Sequence, residues 1–482
     1  MNRRVIAMIV LIFAQFMDLV DSTIINTAIP SIQKDLNATS SQLEWMIGGY
    51  MLAFATLLIT GGRLGDIVGR RRIFILGIAG FTLASLAASL ASTGDVLIAA
   101  RVAQGVFAGI MVPQVLSNVQ VLFKPEERGP IYGAIGVITA LGAIVGLLLG
   151  GWLITSDAFG AGWRSVFLVN IPVGVVLIVA ALIFVPESKS EHPLKLDLLG
   201  MALAASSVFL LTYGLVNGRH AGWATYIWVM MAASPVLASV FVWQQKKKMI
   251  RDGSPLLPMH LFGNQGFRAG LVIQVLAWVA TGSYMLIVGY YLQIGLGFTA
   301  LETGLTMLAG TIGAIVATPM IAPLTNKYGK TLIFIGGLIQ AVSFLWVMLL
   351  VGAQGADLSG WHLVPPLLVY GVGMVFLFPP LHDVTLATIP TKDAGAASGT
   401  FTTFHQVGFV LGIAVVGVIF FGIAGDKPTQ ATLQEGVTQG LWVTVIGFVI
   451  AGLVSLTMPK AQPITLPQGG VPAQAGAVNR HM

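Results

Sequence analysis

The chain has 482 residues, of which 56% are hydrophobic and only 9% charged, against roughly 25% charged residues in ordinary soluble domains. This composition excludes a soluble globular protein. The chain has no cysteine, which excludes disulfides, thiolate metal sites and thiol catalysis. Its formal net charge of +6 suits the anionic lipids of an inner leaflet, and no feature indicates nucleic-acid binding.

Segments of about 20 apolar residues recur along the whole chain, each long enough to cross a bilayer as a helix. We count fourteen, from 5–29 to 438–458, and no loop could house a soluble domain. With the N-terminus in the cytoplasm, twenty Lys and Arg residues fall on the cytoplasmic side and four outside, which follows the positive-inside rule. The sequence therefore predicts an all-α integral membrane protein with both termini in the cytoplasm.

The first apolar segment contains two aspartates, Asp18 and Asp21, which share one helix face about one turn apart. A carboxylate at membrane depth costs at least about 2.5 kcal/mol, so it is rarely placed there for packing alone. Burial and a neighbouring carboxylate both disfavour ionisation, and two such groups titrate as a coupled unit. The pair predicts a site that takes up and releases protons. The alternative is that either aspartate only hydrogen-bonds a neighbouring helix.

Two further residues are candidates for proton coupling. Arg101 is the only Lys or Arg that we place inside a span, and Asp21 is the natural anionic partner for it. Alternatively, its side chain extends to the outer surface, since it lies only a few residues into its helix. His405, near the middle of the thirteenth span, could join a proton relay or simply pack with a hydrogen bond.

An internal repeat divides the chain into two halves. Two sets of spaced glycines match each other, and residues 64–70 also match residues 324–330. Two six-helix copies in parallel orientation are a plan known from transporters, with helices seven and eight as an inserted pair. The predicted units are an N-terminal bundle 1–190, the insert 191–262, a C-terminal bundle 263–460 and a disordered cytoplasmic tail 461–482. The matching glycines are Gly133, Gly142, Gly146 and Gly151 with Gly399, Gly408, Gly412 and Gly417.

Several motifs resemble one family. Residues 62–72, GRLGDIVGRRR, resemble the signature between helices two and three of the major facilitator superfamily. Residues 21–30, DSTIINTAIP, and 101–105, RVAQG, are similar to the first-helix and fourth-helix motifs of its fourteen-helix drug–proton antiporters, as are Trp163-Arg164 and residues 170–172. The resemblance implies the major facilitator fold, with two pseudo-symmetric six-helix bundles and two extra helices.

The resemblance also implies roles. Asp21 would be the proton carrier and Arg101 its coupling partner, while Asp18 stands where the family usually has an apolar residue. The loop residues would form a conformational latch between the halves, beside their role in fixing topology: Gly62, Asp66, Gly69, Arg70 and Arg71. Five glycines would form an antiporter-type motif, although helix packing explains them as well and Leu147 replaces the expected proline: Gly133, Gly142, Gly146, Gly150 and Gly151.

The sequence favours a bacterial inner-membrane exporter that swaps protons for amphipathic, cationic drugs or toxic compounds by alternating access. The alternatives are a dedicated exporter of one natural product, siderophore or lipid, and a proton-linked uptake symporter. Direct use of ATP, a metal site and enzymatic catalysis have no supporting pattern. The expected partners are the bilayer, protons and substrate, with the protein acting as a monomer. Candidates for lining the substrate cavity are Asn26, Tyr50, Phe54, Trp278, Tyr284 and Phe376.

Overall fold

The computed structural model describes residues 3–123, 131, 138, 141–142, 145–157, 160–190, 195–219, 221–387, 389, 394–425 and 428–459. Thirteen helices in this part of the chain are long and apolar enough to cross a membrane, and Val145–Thr155 forms a shorter one. The predicted all-α membrane fold is confirmed. Part of the fifth predicted span, 130–154, and the whole tail 461–482 lie outside the described residues.

The first seven helices are α1 (Arg3–Leu36), α2 (Ser40–Val68), α3 (Arg70–Ser89), α4 (Gly94–Leu122), α5 (Val145–Thr155), α6 (Asn170–Phe184) and α7 (Leu198–Gly218). The other seven are α8 (Thr225–Asp252), α9 (Gln265–Tyr290), α10 (Ala300–Ala317), α11 (Lys330–Gln354), α12 (Gly360–Ala387), α13 (Ala394–Ala424) and α14 (Gln430–Ser455). A short helix Ser165–Leu168 leads into α6, and another, Ile321–Tyr328, follows α10.

The starts of α2 and α10 show the internal repeat at atomic detail. Thr39 caps α2 in a capping box with Gln42, and Thr299 caps α10 in the same way with Glu302. In each box the threonine side chain accepts from a backbone N–H and the third helical residue reaches back to the cap. These pairs have the same spacing as the match between 64–70 and 324–330. The second helices of the two halves are therefore equivalent residue by residue.

Glycines hold the first and fifth helices of each half close together. A Cβ on Gly146 would lie 2.9 Å from the Val20 oxygen of α1, and one on Gly408 would lie 2.7 Å from the Val275 oxygen of α9. Glycine permits this approach because it has no Cβ to keep the backbones apart. The two halves thus repeat one packing scheme, with α5 against α1 and α13 against α9.

The halves meet through the other sides of α5 and α13. Gly151 of α5 packs on Leu301 of α10, and Gly417 of α13 packs on α2. At the end of α1, the side chain of Gln33 lies beside the Tyr290 hydroxyl of α9. One continuous apolar core includes Ile29 of α1 together with buried residues of the second half. We call the face at the end of α1 the closed face, and the face that carries the 62–72 loop the basic face.

The inserted pair α7–α8 contacts both halves. Ser41 of α2 donates to the Val216 oxygen at 3.1 Å, and Arg219, just after α7, donates to the Phe421 oxygen of α13 at 2.6 Å. Trp45 of α2 packs on the α7 ring of Phe209, with centroids 5.6 Å apart. Helix α7 of the insert therefore lies across the junction between α2 and α13, and α8 packs on α7.

The start of α7 is anchored by Asp197, a buried carboxylate. It caps the helix by accepting from Gly200 N at 3.0 Å, and it accepts from Gln245 Nε2 at 2.7 Å and Leu256 N at 3.2 Å. Burial would raise the pKa of Asp197, but the hydrogen bonds from Gln245, Gly200, Gln244 and Leu256 outweigh it and hold the pKa below the usual value. This carboxylate ties α7, α8 and the following loop together.

We expect Asp197→Ala to lower the free energy of unfolding by about 2–3 kcal/mol, because it removes a helix cap and charged hydrogen bonds to buried donors. Since the pKa is lowered in the folded state, this stabilisation is complete above the ordinary value of about 3.9 and is lost as the pH falls through the folded-state pKa. Thermal unfolding of the detergent-solubilised protein across an acidic pH series measures both effects. The exposed Asp357→Ala is the matched control, and an equal shift for both variants would contradict the assignment.

Candidate functional site

The core of the site is Asp21 in α1, whose side chain is completely buried. Its Oδ2 forms an ion pair with Nη1 of Arg101 at 2.5 Å, and the arginine side chain is also completely buried. Its Oδ1 accepts from Gln104 Nε2 at 3.1 Å and from Asn170 Nδ2 at 2.7 Å. Helices α1, α4 and α6 thus converge on one carboxylate, which is satisfied by one cation and two amides.

Arg101 is held on several sides. Its Nε donates to the Met46 oxygen of α2 at 3.1 Å, and its Nη1 also donates to Gln104 Oε1 at 3.0 Å. The guanidinium lies over the Tyr50 ring, 4.3 Å from the centroid, which adds a cation–π attraction. Nη2 has no hydrogen-bond partner among the described residues. The side chain therefore stays in the protein interior, and the alternative that it extends to the outer surface is wrong.

Asp18 joins the same cluster through Tyr50. The Tyr50 hydroxyl donates to Asp18 Oδ1, and only 6% of Asp18 is exposed. Phe54, one turn further along α2, stacks on Tyr50, with ring centroids 6.3 Å apart. Tyr50 therefore links the two aspartates. Its ring lies against Arg101, the partner of Asp21, and its hydroxyl binds Asp18. Tyr50 and Phe54, predicted to line a cavity, are built into this cluster.

The glycines of the predicted antiporter-type motif lie against the helix that carries both acids. A Cβ on Gly146 would overlap Thr23 Oγ1 and lie 2.9 Å from the Val20 oxygen, and one on Gly150 would lie 2.7 Å from Ile24 Cγ1. Gly142 faces α1 as well, whereas Gly151 faces α10, and Gly133 lies outside the described residues. Along this contact, the position of α1 is set by α5.

We expect Gly146→Ala to displace α1 from α5 and to lower the free energy of unfolding by about 1–3 kcal/mol, the range for overpacked interiors. Export should fall along with stability, because the displaced helix carries both acids. Gly352→Ala in α11 is the control, since a Cβ there would meet nothing within 4 Å. Thermal unfolding and dye efflux are measured for both variants. Equal results for Gly146→Ala and Gly352→Ala in both assays would contradict this packing.

The predicted latch residues make their described contacts within the first half. Arg70 forms an ion pair with Asp66 at 2.7 Å and its backbone N–H donates to the Ser188 oxygen at 2.8 Å. Gly69 has a φ of 125°, and a Cβ there would lie 2.6 Å from Oε1 of Glu187. Among the described residues, the partner of this part of the loop is the segment that follows α6.

Two more latch residues show the same pattern. Arg71 N donates to Glu187 Oε1 at 3.1 Å, and Gly62 packs on Pro113 of α4. Arg63 reaches the insert instead, where it donates to the Lys195 oxygen at 2.8 Å and the Ser254 oxygen at 3.0 Å. A role in switching conformations stays a prediction for all of these residues.

The remaining predicted residues are not brought to Asp21. His405 stacks on Trp278 with ring centroids 3.6 Å apart, so its described contact lies in the second half. Tyr284 packs between Phe344 and other buried rings of the second half, and Phe376 lies in a small apolar cluster with Leu332; both positions favour packing over substrate contact. Asn26 donates to the Thr23 oxygen of its own helix at 3.2 Å.

Three polar residues at the site were not singled out from the sequence. Gln104 and Asn170 bind Asp21, and Ser85 accepts from Gln104 at 2.8 Å. The first two stand inside the quoted motifs 101–105 and 170–172, so their place in those motifs was the available signal. Glu44 was also missed, because it stands only one residue inside the predicted span 43–61, where an acid is expected to reach solvent.

Comparison with known proteins places this arrangement in a family. The sequence model of the Major Facilitator Superfamily matches residues 11–413. A probable actinorhodin transporter from Streptomyces coelicolor is 38% identical over 438 residues, covering 91% of this chain and 76% of the relative. A puromycin resistance protein from Streptomyces alboniger is 31% identical, covering 94% of this chain and 90% of the relative.

A third relative is the multidrug resistance protein Stp of Mycobacterium tuberculosis, which is 29% identical over 84% of this chain and 73% of its own length. Among solved structures, a POT family transporter in complex with 5-aminolevulinic acid has a TM-score of 0.68 at 15% identity, covering 95% of this chain and 96% of that one. At this identity the likeness concerns the fold alone.

Proposed function

Because the chain belongs to the major facilitator superfamily, we propose that it exports amphipathic, cationic antibiotics or toxic compounds in exchange for protons. Curated relatives named for resistance and export support export over uptake. The observation that carries proton exchange is the completely buried Asp21, paired with a completely buried Arg101. A charged pair at this depth is rare in membrane helices and marks functional sites by default.

The pair has two states with different hydrogen-bonding needs. When Asp21 is ionised, it neutralises Arg101 and accepts from Gln104 and Asn170. When it is protonated, it loses the charge that held the guanidinium, and a buried cation without a counter-charge is strongly unfavourable. Proton uptake therefore destabilises the arrangement of α1, α4 and α6 seen in this structure. That difference couples the proton to the relative positions of these helices.

Asp18 is the second acid of the proposal. Tyr50 connects Asp18 to the pair of Asp21 and Arg101, so a change in charge at Asp21 alters the electrostatic field at Asp18. Exchange of one proton for one monovalent cation moves no net charge, whereas a second proton recruits the membrane potential, worth about 2.3 kcal/mol per charge per 100 mV. We assign Asp18 to this higher stoichiometry.

Direction follows from topology. The basic face carries Arg63 and the 70–72 arginines, so the positive-inside rule places it in the cytoplasm of a bacterial inner membrane. The closed face then points outward, and the two halves rock about the α2–α13 and α5–α10 contacts to alternate access. The proposal requires only one chain, the bilayer, protons and substrate.

We expect Asp21→Asn in proteoliposomes to reduce accumulation of a cationic dye under an imposed pH gradient to the level of protein-free vesicles. The amide cannot bind or release a proton, so the gradient loses its carrier. Asp383→Asn, an acid whose side chain is 70% exposed, is the control and should transport normally. Undiminished, gradient-dependent accumulation by correctly inserted Asp21→Asn would refute proton exchange at this residue.

Asp18→Asn tests the stoichiometry separately. We expect transport to continue with a smaller current per substrate molecule, because one fewer proton accompanies each cation. Solid-supported membrane electrophysiology measures the current, and radiolabelled substrate measures the flux in the same preparation. A current per substrate equal to that of the parent would remove Asp18 from the proton count.

A further inference from the structure

Glu44 is a buried acid that the proposed exchange at Asp21 does not use. It lies one turn into α2, near the closed face, and only 3% of it is exposed. Its carboxylate packs against α13: a Cβ on Gly417 would overlap it, lying 2.5 Å from Oε1. Glu44 thus lies in the contact between the two halves, at a place where glycine alone leaves room for it.

The internal repeat shows that packing does not require an acid here. The capping boxes at Thr39 and Thr299 align Glu44 with Gly304 of α10. Gly304 packs on α5, and a Cβ there would lie 2.7 Å from the Leu147 oxygen. The same contact between halves is therefore made by a glycine on one side of the molecule and by a glutamate on the other. The carboxyl group breaks the symmetry, and the opposing Gly417 accommodates it.

The surroundings of Glu44 do not neutralise an ionised carboxylate. Oε2 has no hydrogen-bond partner among the described residues. Arg219 is the one cation whose charge acts on it, but this guanidinium donates to the Phe421 oxygen at 2.6 Å and to Ser40 Oγ. A buried ionised acid without full pairing is costly, whereas a neutral one is tolerated.

The other charged groups near Glu44 are bound elsewhere. No helix residue of α13 or α7 in the described part carries Asp, Glu, Lys or Arg, and His405 of α13 stacks on Trp278. From the other helices packed on α2, the charged groups and their partners are Asp95 with Gln42, Arg101 with Asp21, Asp18 with Tyr50, and Asp35 with Arg164. Lys34 of α1 is exposed, and the remaining charged residues of α1 and α3 lie at the opposite, basic face: Arg3, Arg4, Arg70, Arg71 and Arg72. Arg219 is therefore the group that would respond to a charge on Glu44.

We infer that Glu44 is a further proton-binding site, apart from Asp21 and Asp18, occupied by a proton while the closed face is shut and ionised when α2 and α13 separate there. Ionised Glu44 draws Arg219 away from the Phe421 oxygen, which releases α13 from the insert. Protonated Glu44 does not attract Arg219, which keeps its hydrogen bond to the Phe421 oxygen and holds α13 in place. This role rests on the proposed function for its direction, since the closed face is taken to point outward.

The test measures opening of the closed face directly. The chain has no cysteine, so spin labels can be placed at Lys34→Cys on α1 and Ala356→Cys between α11 and α12, both exposed on this face. Pulsed electron spin resonance in lipid nanodiscs then gives the ratio of long to short distances across a pH series. We expect the parent to open as the pH rises. Glu44→Gln, which cannot ionise, should lower the open-to-closed ratio at alkaline pH by about tenfold, equivalent to about 1.4 kcal/mol.

Three further variants complete the test. Glu44→Ala also lacks the ionisable group and should show the same lowered open-to-closed ratio, so it provides the test if Glu44→Gln misfolds. Glu44→Asp should keep the pH response, which a purely steric role would not. Glu302→Gln is the matched control, because it is exposed on the same face and glutamine can preserve the capping box. A Glu44→Gln profile that superimposes on that of the parent would overturn the inference.

The same measurement in an Asp21→Asn background separates the two proposals. If Glu44 senses the proton, opening still depends on pH in Asp21→Asn and loses that dependence when Glu44→Gln is added. A flat profile in Asp21→Asn with Glu44 intact would overturn the inference, whatever the transport assay shows. Failure of the proposed function would appear instead as gradient-driven export that survives Asp21→Asn.

Discussion

The ion pair between Asp21 and Arg101 is the interaction around which the first half is arranged. Two charges without any solvent exposure are stable only with close pairing and further hydrogen bonds. The fold provides these from three helices, through Gln104, Asn170 and the Met46 oxygen. Any helix movement that stretches the pair raises its electrostatic cost steeply, because the surrounding dielectric is low. The helix arrangement and the charge state are therefore coupled.

Close packing transmits that coupling to the contact between the halves. The α5 glycines hold α1 at backbone distance, and the opposite side of α5 places Gly151 against α10. The second half repeats the plan with Gly412 against α9 and Gly417 against α2. Helices in such tight contact move as bodies rather than bend locally, which suits a rocking mechanism. The one large departure from this symmetry is Glu44, opposite a glycine.

The sequence predicted the fold well because its main determinants are local. About 20 apolar residues suffice to define a membrane span, and the capped starts of α2 and α10 fall at the same position in each repeat. It also suggested Asp21 as the partner of Arg101, since a cation in an apolar helix needs an anion. The described contacts of the 62–72 loop in this conformation, with the segment after α6, were not foreseen, and its latch role between the halves stays a prediction. Its contacts depend on where the chain runs after α6, which composition does not encode.

The amide partners of Asp21 and the position of Tyr50 were also beyond sequence reasoning. From the helical pattern of the sequence, Tyr50 is predicted to line a cavity. Its hydroxyl faces Asp18 only because of the way α2 is rotated against α1. Trp278 and His405 show the converse case, in which polar aromatic side chains stack on each other instead of reaching the acids. Helix rotation depends on packing among several neighbours, and no single segment carries that information.

The most direct test of the central claim is to measure proton release when a cationic substrate binds to the purified protein in weakly buffered detergent solution. If Asp21 carries the exchanged proton, substrate binding at a pH where the acid is protonated releases protons from the parent, and the release is lost in Asp21→Asn while Asp383→Asn keeps it. Substrate binding with equal proton release in the parent and in Asp21→Asn would contradict the account.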